Sequence, residues 1–529
     1  MRTPARLFAL PAIVVTLVVV AAGGVAPAAA ASGDIGFQDQ SYAPLGGSPT
    51  GTKPESRLWF NNGWWAIMFN PSASEHRIYK LDWASGKWSD TGVAVDTRDS
   101  TRADTLWDAA SNKLYVASHV YSTSGQPATS GSTGRLYRYT YNALAGSYSL
   151  DPGFPVNINS AKTETLVIDK DSTGTLWATW TQGSRVYVNH SVGGSDASWG
   201  TPYIVPGGGT SLTSDDISSL IHFGGTHIGL MWSNQADHHF YFAVHNDGAG
   251  DSAWSSGAVT AAAYTSDDHV NLKTDSAGRV YAAVKSGETA KSATLNALLI
   301  RGTSGSWSSV TFGTAADSHT RPIVVLDDQI GVIHMFATCP QPPKTSGQAG
   351  GDICEKTTSM AAPSFAPGIG TAVISQAGVP KMNDATSTKQ NVTSATGLVV
   401  LANNATSKTY WHMQETLPAA PAPPNGQTNT NKKSRAKARA RARRKIHLRV
   451  SPHSARAGHM VTFTFSATLV RGHKRIAVRH ATIRFAGHKA HTNKKGRARI
   501  KAKLRHHHRY RAFATKRGLV RGKAIVRSP

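Results

Sequence analysis

Cysteine is nearly absent from this chain: two residues, Cys339 and Cys354, in 529. That excludes a disulfide-framework fold and the repeated cysteine pairs of a structural zinc protein. Charge is sparse as well, with Asp, Glu, Lys and Arg together at 17%. One sign vanishes altogether near the end. Glu415 is the last acidic residue, and Thr416–Pro529 carries 31 Lys+Arg with none opposing them. Met1–Glu415 keeps the other 26 of the 57 Lys+Arg against all 31 acidic residues, a net charge of −5. A mildly acidic body therefore carries a strongly basic tail, and the overall charge of +26 describes neither. Helical periodicity is almost missing from residues 36–417. Beyond the N-terminus no apolar run approaches the ~20 residues of a spanning helix. A hydrophobic fraction of 40% excludes a wholly disordered chain.

What is present begins with an address. Arg2 and Arg6 precede the apolar run Leu7–Ala22, and Ala29-Ala30-Ala31 offers small residues for cleavage. Residues 1–31 read as a secretory signal peptide, so the protein is expected outside the cell, associated with the cell wall. Export permits a Cys339–Cys354 disulfide. The Pro-, Gly- and Ser-rich segment Pro340–Ile353 then reads as a long hairpin loop closed by that bridge, worth roughly 3 kcal/mol.

Residues 36–417 show short alternating apolar runs separated by Gly, Asp, Asn and Ser, the pattern of many short strands. They also repeat. Thr165–Trp180 and His269–Val284 both read strand, D-S-x-G turn, strand, and Thr105–Ser118 and Ile217–Trp232 share the shape. An aromatic beside a small residue closes most units: Trp88, Tyr148, Trp199, Trp254, Trp307 and Phe365. Aligned unit starts fall near Glu55, Thr101, Thr163, Asp215, Asp267, Thr320 and Thr386. Such spacing suits propeller blades with loop insertions. The expected fold is all-β, a seven-bladed β-propeller over 36–417. One four-stranded sheet cannot bury both faces alone, so the unit-end aromatics are expected to pack between blades.

Lys170-Asp-Ser-Thr-Gly-Thr-Leu-Trp177 and Thr274-Asp-Ser-Ala-Gly-Arg-Val-Tyr281 approach the pattern S-x-D-x-G-x-x-W. With them, 36–417 resembles the sialidase-like, BNR-type propellers of secreted bacterial carbohydrate-active proteins. Here the turns join the first two strands of a unit, where that family places them between the last two. The resemblance implies a glycan partner and covers hydrolases, polysaccharide lyases and non-catalytic binders alike.

In a propeller the first residues of each innermost strand line one end of the central channel. At these starts stand Glu55, Arg57, Arg102, Asp104, Thr163, Glu164, Asp215, Asp216, Asp267, Asp268, His269, His319, Thr320, Arg321, Asn383, Asp384, Thr386 and Lys389. Two chemistries can be drawn from the set. Hydrolysis needs a carboxyl pair with divergent pKa values, taken from Asp104, Glu164, Asp216 and Asp268. Elimination needs a base, His269, beside a uronate carboxylate neutralised by arginine. Asp104, Glu164, Asp268 and His269 are the catalytic candidates. Arg57, Arg102, Asp216, Arg321 and Lys389 are the substrate-binding candidates, guanidinium forks being matched to carboxylates. A network of mutually satisfied ion pairs, or a non-catalytic glycan-binding or adhesion protein, would display the same residues. No cofactor or metal site is expected, although a blade turn could hold Ca²⁺. His239 and His245 share a strand face but lie ~20 Å apart along it, too far for one metal.

Residues 418–445 read as a linker, rich in Pro and Ala and then in Lys and Arg. In 446–529 alternation returns in Ile446–Val450, Val461–Phe465, Ala481–Phe485, Arg497–Lys501 and Tyr510–Phe513. Six or seven short strands fit a small basic β-sandwich. Val450-Ser-Pro, Ala457-Gly458, Ala481–Phe485 and His491–Ala498 resemble a bacterial Ig-like domain. Without carboxylates, 432–529 suits an anionic cell-wall polymer. Few aromatics argue against base stacking, so no specific nucleic acid partner is expected. The chain is expected to be a monomer.

Overall fold

A computed structural model describes residues 33–51, 53–98, 100–122, 130–259, 261, 265–341, 351–420, 446–471, 474–505, 508–516 and 522–528. The expected signal peptide, and the linker from 421 to 445, lie outside them. The chain forms two compact units, Met1–Pro421 and Ala422–Pro529. Among the described residues no helix is long and apolar enough to cross a membrane.

Among its described residues the larger unit is all-β, with seven antiparallel sheets following one another along the chain. Their first strands are Leu58–Phe60, Thr101–Asp108, Val167–Lys170, Ser218–Phe223, Ser266–Thr274, Thr320–Asp327 and Met382–Thr386. Each sheet is a meander from first strand to last, the second carrying one strand more than the others. The seventh takes its outermost strand, Phe37–Ser41, from the other end of the unit, pairing it with Thr409–Glu415. First strands of consecutive sheets touch. Leu58 of the first sheet bridges to Thr388, just beyond the first strand of the seventh. The arrangement is propeller-like.

The core is divided into layers between sheets. One apolar cluster joins sheets one and two through Trp59, Trp65, Val116 and Tyr139. Similar clusters join two with three, three with four, four with five, and five with six. A further cluster spans the sixth, seventh and first sheets through Ile323, Leu401, Trp411 and Trp64. Second strands such as Trp64–Asn70 and Leu398–Asn404 are sandwiched on both faces. They therefore read as unbroken apolar runs, since burial on both faces removes the need for alternation.

The repeated aromatics sit elsewhere than at the unit ends: Trp88, Trp254 and Trp307 lie at the start of an outer strand. Each reaches to the neighbouring sheet. Tyr148 meets Trp59 and Trp65, Trp254 meets Trp177, Trp307 meets Phe242 and Phe365 meets Phe312, with ring centroids 5.0–5.8 Å apart. The D-S-x-G turns are locked by their aspartates. Asp171 accepts hydrogen bonds from the N–H groups of Thr173 (2.8 Å) and Thr175 (3.0 Å) and from the indole of Trp177 (3.1 Å). Asp275 holds Ala277, Arg279 and Tyr281 in the same way. Gly174 and Gly278 have φ of 93° and 89°, which a β-carbon disfavours. A disulfide joins Cys339 and Cys354 (Cα–Cα 5.8 Å) across the hairpin of Val332–Cys339 and Asp352–Ser359.

Among its described residues the smaller unit has eight strands in two four-stranded sheets, more than the six or seven expected. Lys474–Ala477, His488–His491 and Gly522–Ser528 carry too little apolar alternation to be read in advance. Phe463 and Phe465 of one sheet meet Phe485 of the other in a single core. Strand Arg497–Lys503 alternates strictly, exposing Arg497, Arg499, Lys501 and Lys503. Arg449, also exposed, lies two strands away in register with Arg497.

Candidate active site

Where the first strands begin, a cavity of about 520 Å³ opens in the larger unit. Glu164, Asp268, His269, Arg102 and Arg321 line it together, contributed by four separate segments of the chain. Lys53, Tyr121, Asp215, Asp267, Lys285 and Asp384 complete its charged and phenolic wall. A smaller cavity, about 190 Å³, lies among the far ends of the same strands, beside Trp107, Asp169, His222 and Thr274.

Local irregularities aim the side chains. The register of the fifth sheet shifts between Ser266 and Val270, around Asp267-Asp268-His269. The sixth shifts between Thr320 and Ile323, and the seventh between Asn383 and Thr386. Bulges re-aim side chains that a regular strand would turn to alternate faces. Lys53, Arg321 and Asp384 have φ of 48°, 53° and 59°, a strained region for non-glycine residues that is concentrated at functional sites.

Most of the charge is paired. Lys53 Nζ bonds with Glu164 (2.9 Å) and with Asp268. Lys285 pairs with Asp267 (2.5 Å) and Arg321 with Asp384 (2.6 Å). Oxygens of Glu164, Asp215 and Asp268 lie within 4.8 Å of one another, a grouping that could hold a cation, and the Lys53 ammonium already serves two of them. Arg102 forms no ion pair among the described residues, and its guanidinium lies over the Tyr121 ring at 5.2 Å.

His269 sits against two of these carboxylates. Its Nδ1 lies 2.7 Å from Asp267 and 2.6 Å from Asp268, so the ring donates there and leaves the Nε2 lone pair, which has no protein partner. Burial, aided by the Lys53 charge, pushes its pKa down to about 3. Burial resists ionisation of Asp267, but the bond from His269 and the nearby cations win and hold it at about 2. Burial, with Asp215 nearby, raises Glu164 against the pull of Lys53. Burial and then Glu164 raise the Tyr121 phenol, so it stays protonated at neutral pH.

Four expected residues do not line this cavity. Asp104 is buried deeper along the same strand. It accepts from the N–H groups of Ser56 and Ile168 (both 2.8 Å) and pairs with Lys389 (2.5 Å), tying four sheets together. Lys389 is committed to that pair and borders the smaller cavity. Asp216 holds its own turn, accepting from Ser233 Oγ and the N–H groups of Thr213 and Gln235. Arg57 is 0% exposed. A strand start carries side chains at successive depths, and sequence position alone does not say which depth opens into space.

Lys53, Tyr121 and Lys285 were not among the expected site residues. Antiparallel pairing explains two of them. Thr101 faces Val120, and Ser266 faces Ser286, so the end of each second strand returns to the mouth where the first begins. Tyr121 and Lys285 stand at those returning ends.

The depressed histidines carry a pH consequence. His76, like His269, falls to about 3, through burial and then the charge of Arg57. The unfolded rings titrate near 6.5, so between pH 6.5 and 3 the unfolded chain binds more protons. Their stabilising contribution is complete above 6.5 and lost as pH falls toward 3. Asp104 works in the opposite sense: burial raises it to about 6, so its contribution is lost as pH rises through that value. Glu164, also raised, acts with Asp104. Asp267 and other carboxylates held low by their partners, among them Asp96, Asp151 and Asp171, act with the histidines and are more numerous, so the melting temperature should fall on acidification. His269→Gln should lose less than the wild type over the same range, and superimposable profiles would refute the assignment.

No family model matches the chain, and no curated protein matches it. Among solved structures it is similar to a polysaccharide lyase of family PL25, an ulvan lyase bound to -[GlcA(1-4)Rha3S]-. Identity there is 11%, covering 75% of this chain and 99% of that one, with TM-score 0.47. The polysaccharide lyase Uly1 gives 11% identity, 73% and 98% coverage and TM-score 0.38. An α-L-arabinanase from Penicillium chrysogenum, complexed with arabinobiose, gives 10%, 62% and 98%, and 0.38. These TM-scores are all below 0.5, and the functional reading rests on the cavity.

Proposed function

We propose that the seven sheets form a seven-bladed propeller whose cavity cleaves an acidic polysaccharide by β-elimination. The observation that carries this reading is the meeting, in one cavity, of an unpaired guanidinium lying over a phenol (Arg102 and Tyr121) with a histidine locked at Nδ1 by carboxylates. Arg102 neutralises the uronate carboxylate, which acidifies the adjacent C–H. Nε2 of His269 takes that proton, and the electron pair becomes the new C=C bond. The C–O bond to the leaving sugar breaks, and its oxygen takes the proton of Tyr121. The proton on His269 returns through solvent to the phenolate, restoring both groups.

A hydrolase is the second reading, favoured by Glu164 raised and Asp267 lowered in the same cavity. The satisfied pairs of Lys53, Lys285 and Arg321 favour a third, a non-catalytic binder. A panel of uronate-containing and neutral glycans separates them. Elimination yields unsaturated products that absorb in the ultraviolet. New reducing ends without that absorbance mean hydrolysis, and binding without either product leaves the adhesion reading.

The basic unit we read as an Ig-like sandwich that holds an exported protein on anionic wall polymer. Its support is the exposed row Arg449, Arg497, Arg499, Lys501 and Lys503 and the absence of any carboxylate after Glu415. Deleting 432–529 should abolish retention on teichoic-acid-bearing wall material at low salt, and added salt should elute the full chain. Equal retention of the truncated protein would defeat this.

A further inference from the structure

We infer that the smaller unit grips a polyol phosphate along strand Arg497–Lys503, each cation of the row meeting one phosphate of a polymer joined through three-carbon units. The inference rests on the anchoring reading above and names the polymer chemistry and the face that takes it. Arg497, Arg499, Lys501 and Lys503 are all exposed on one strand, while Ala498, Ile500 and Ala502 between them are buried in the core. The neighbouring strand Met460–Arg471 lays hydroxyls beside them. Ser466 faces Arg497, Thr464 faces Arg499 and Thr462 faces Lys501, each at least partly exposed. On its other side Ser466 faces the exposed Arg449. Directly opposed residues of an antiparallel pair share a face, so this surface is a hydroxyl stripe edged by cations. No carboxylate side chain follows Glu415 to occupy them. The second sheet offers no such row. Arg509 and Arg511 are followed at the same parity by Phe513, and the exposed Ile525 separates Lys523 from Arg527.

The spacing selects the polymer. Cations two residues apart on a strand stand about 7 Å apart, so the row runs for about 20 Å. Two residues are six backbone bonds. A chain of phosphates joined through three-carbon units also has six single bonds from one phosphorus to the next, so when extended it advances by about the same step. Its phosphates meet successive cations in charge-assisted hydrogen bonds, bidentate from the guanidinium forks. Its free hydroxyls meet the Ser and Thr stripe. Uronate chains suit the row less well, because each carboxylate hangs from a rigid ring whose length sets the repeat. Single-stranded nucleic acid shares the six-bond step, but its bases seek aromatic platforms. Phe463 and Phe465, the sheet's only Phe, Tyr or Trp among the described residues, are buried in the core.

Binding of the full chain to synthetic poly(glycerol phosphate) over a range of salt tests this. The row variant combines Arg497→Gln, Arg499→Gln, Lys501→Gln and Lys503→Gln. It should flatten the slope of log affinity against log salt by about 3, four contacts at roughly 0.7 each. A fourfold rise in salt should then cost the wild type about 50 times more affinity than this variant. The control removes the same charge from the other sheet, through Arg509→Gln, Arg511→Gln, Lys523→Gln and Arg527→Gln, and should change the slope by less than about 1. Melting curves check that both variants fold. Should the row variant not fold, the wild type decides. It should bind poly(glycerol phosphate) about tenfold more tightly than poly(ribitol phosphate), whose five-carbon units put eight bonds between phosphates. The same margin should hold over polygalacturonate and oligothymidylate of equal charge. Equal slopes in the two variants, or equal wild-type affinity for any of those three polymers, would overturn the inference. If deletion of 432–529 still abolished retention in that case, the anchoring reading would stand without it; retention by the truncated chain would remove both.

Discussion

Replacing His269 with glutamine should lower kcat/KM on a cleavable acidic polysaccharide by about 10³-fold, within the range found for loss of a general base. Glutamine keeps much of the volume and a polar tip but has no basic lone pair. The loss should fall on kcat, with KM changed little, because the imidazole does its work on the reacting C–H bond. Asp267→Asn should cost less, since Asp268 also accepts from Nδ1 (2.6 Å) and keeps the ring oriented. Tyr121→Phe should fall between the two and spare substrates with an activated leaving group, which need no protonation. Unchanged turnover by His269→Gln would remove the elimination mechanism and leave hydrolysis or binding.

Truncating Asp104 to alanine should destabilise the larger unit by about 3–5 kcal/mol, the usual cost of breaking a buried charge pair. The variant strands the Lys389 ammonium and leaves the N–H groups of Ser56 and Ile168 without their acceptor. Denaturant midpoints at neutral pH would measure this. The double variant Asp104→Leu with Lys389→Met should regain much of the loss, because it removes both charges together. A stable Asp104→Ala protein that had lost only activity would return this aspartate to the chemistry.

The residues that were legible in advance and those that were not divide on a physical line. The first strands begin at Leu58, Thr101, Val167, Ser218, Ser266, Thr320 and Met382, each within four residues of a unit start read from the repeat. Repeats are legible because every sheet solves the same burial problem with the same pattern. Glu164, Asp268, His269, Arg102 and Arg321 were legible as polar residues at strand starts. Their separation from Asp104, Asp216, Arg57 and Lys389 was not. Arg102 and Asp104 stand two positions apart on one strand, yet one faces the cavity and the other is sealed among backbone N–H groups of its neighbours. Lys53 and Tyr121 were missed because loops and returning strand ends carry no periodicity to mark them.

By itself the sequence determined an all-β chain of repeated sheets, a cysteine pair placed to close a hairpin, and a tail of a single charge sign. These are properties of local pattern and composition, which neighbouring residues set between themselves. Tertiary structure alone decided which ionisable groups share the larger cavity and which are spent holding sheets together. Those outcomes depend on bulges, register and depth, where a shift of two residues exchanges solvent for a buried amide and changes what a carboxylate or guanidinium can do.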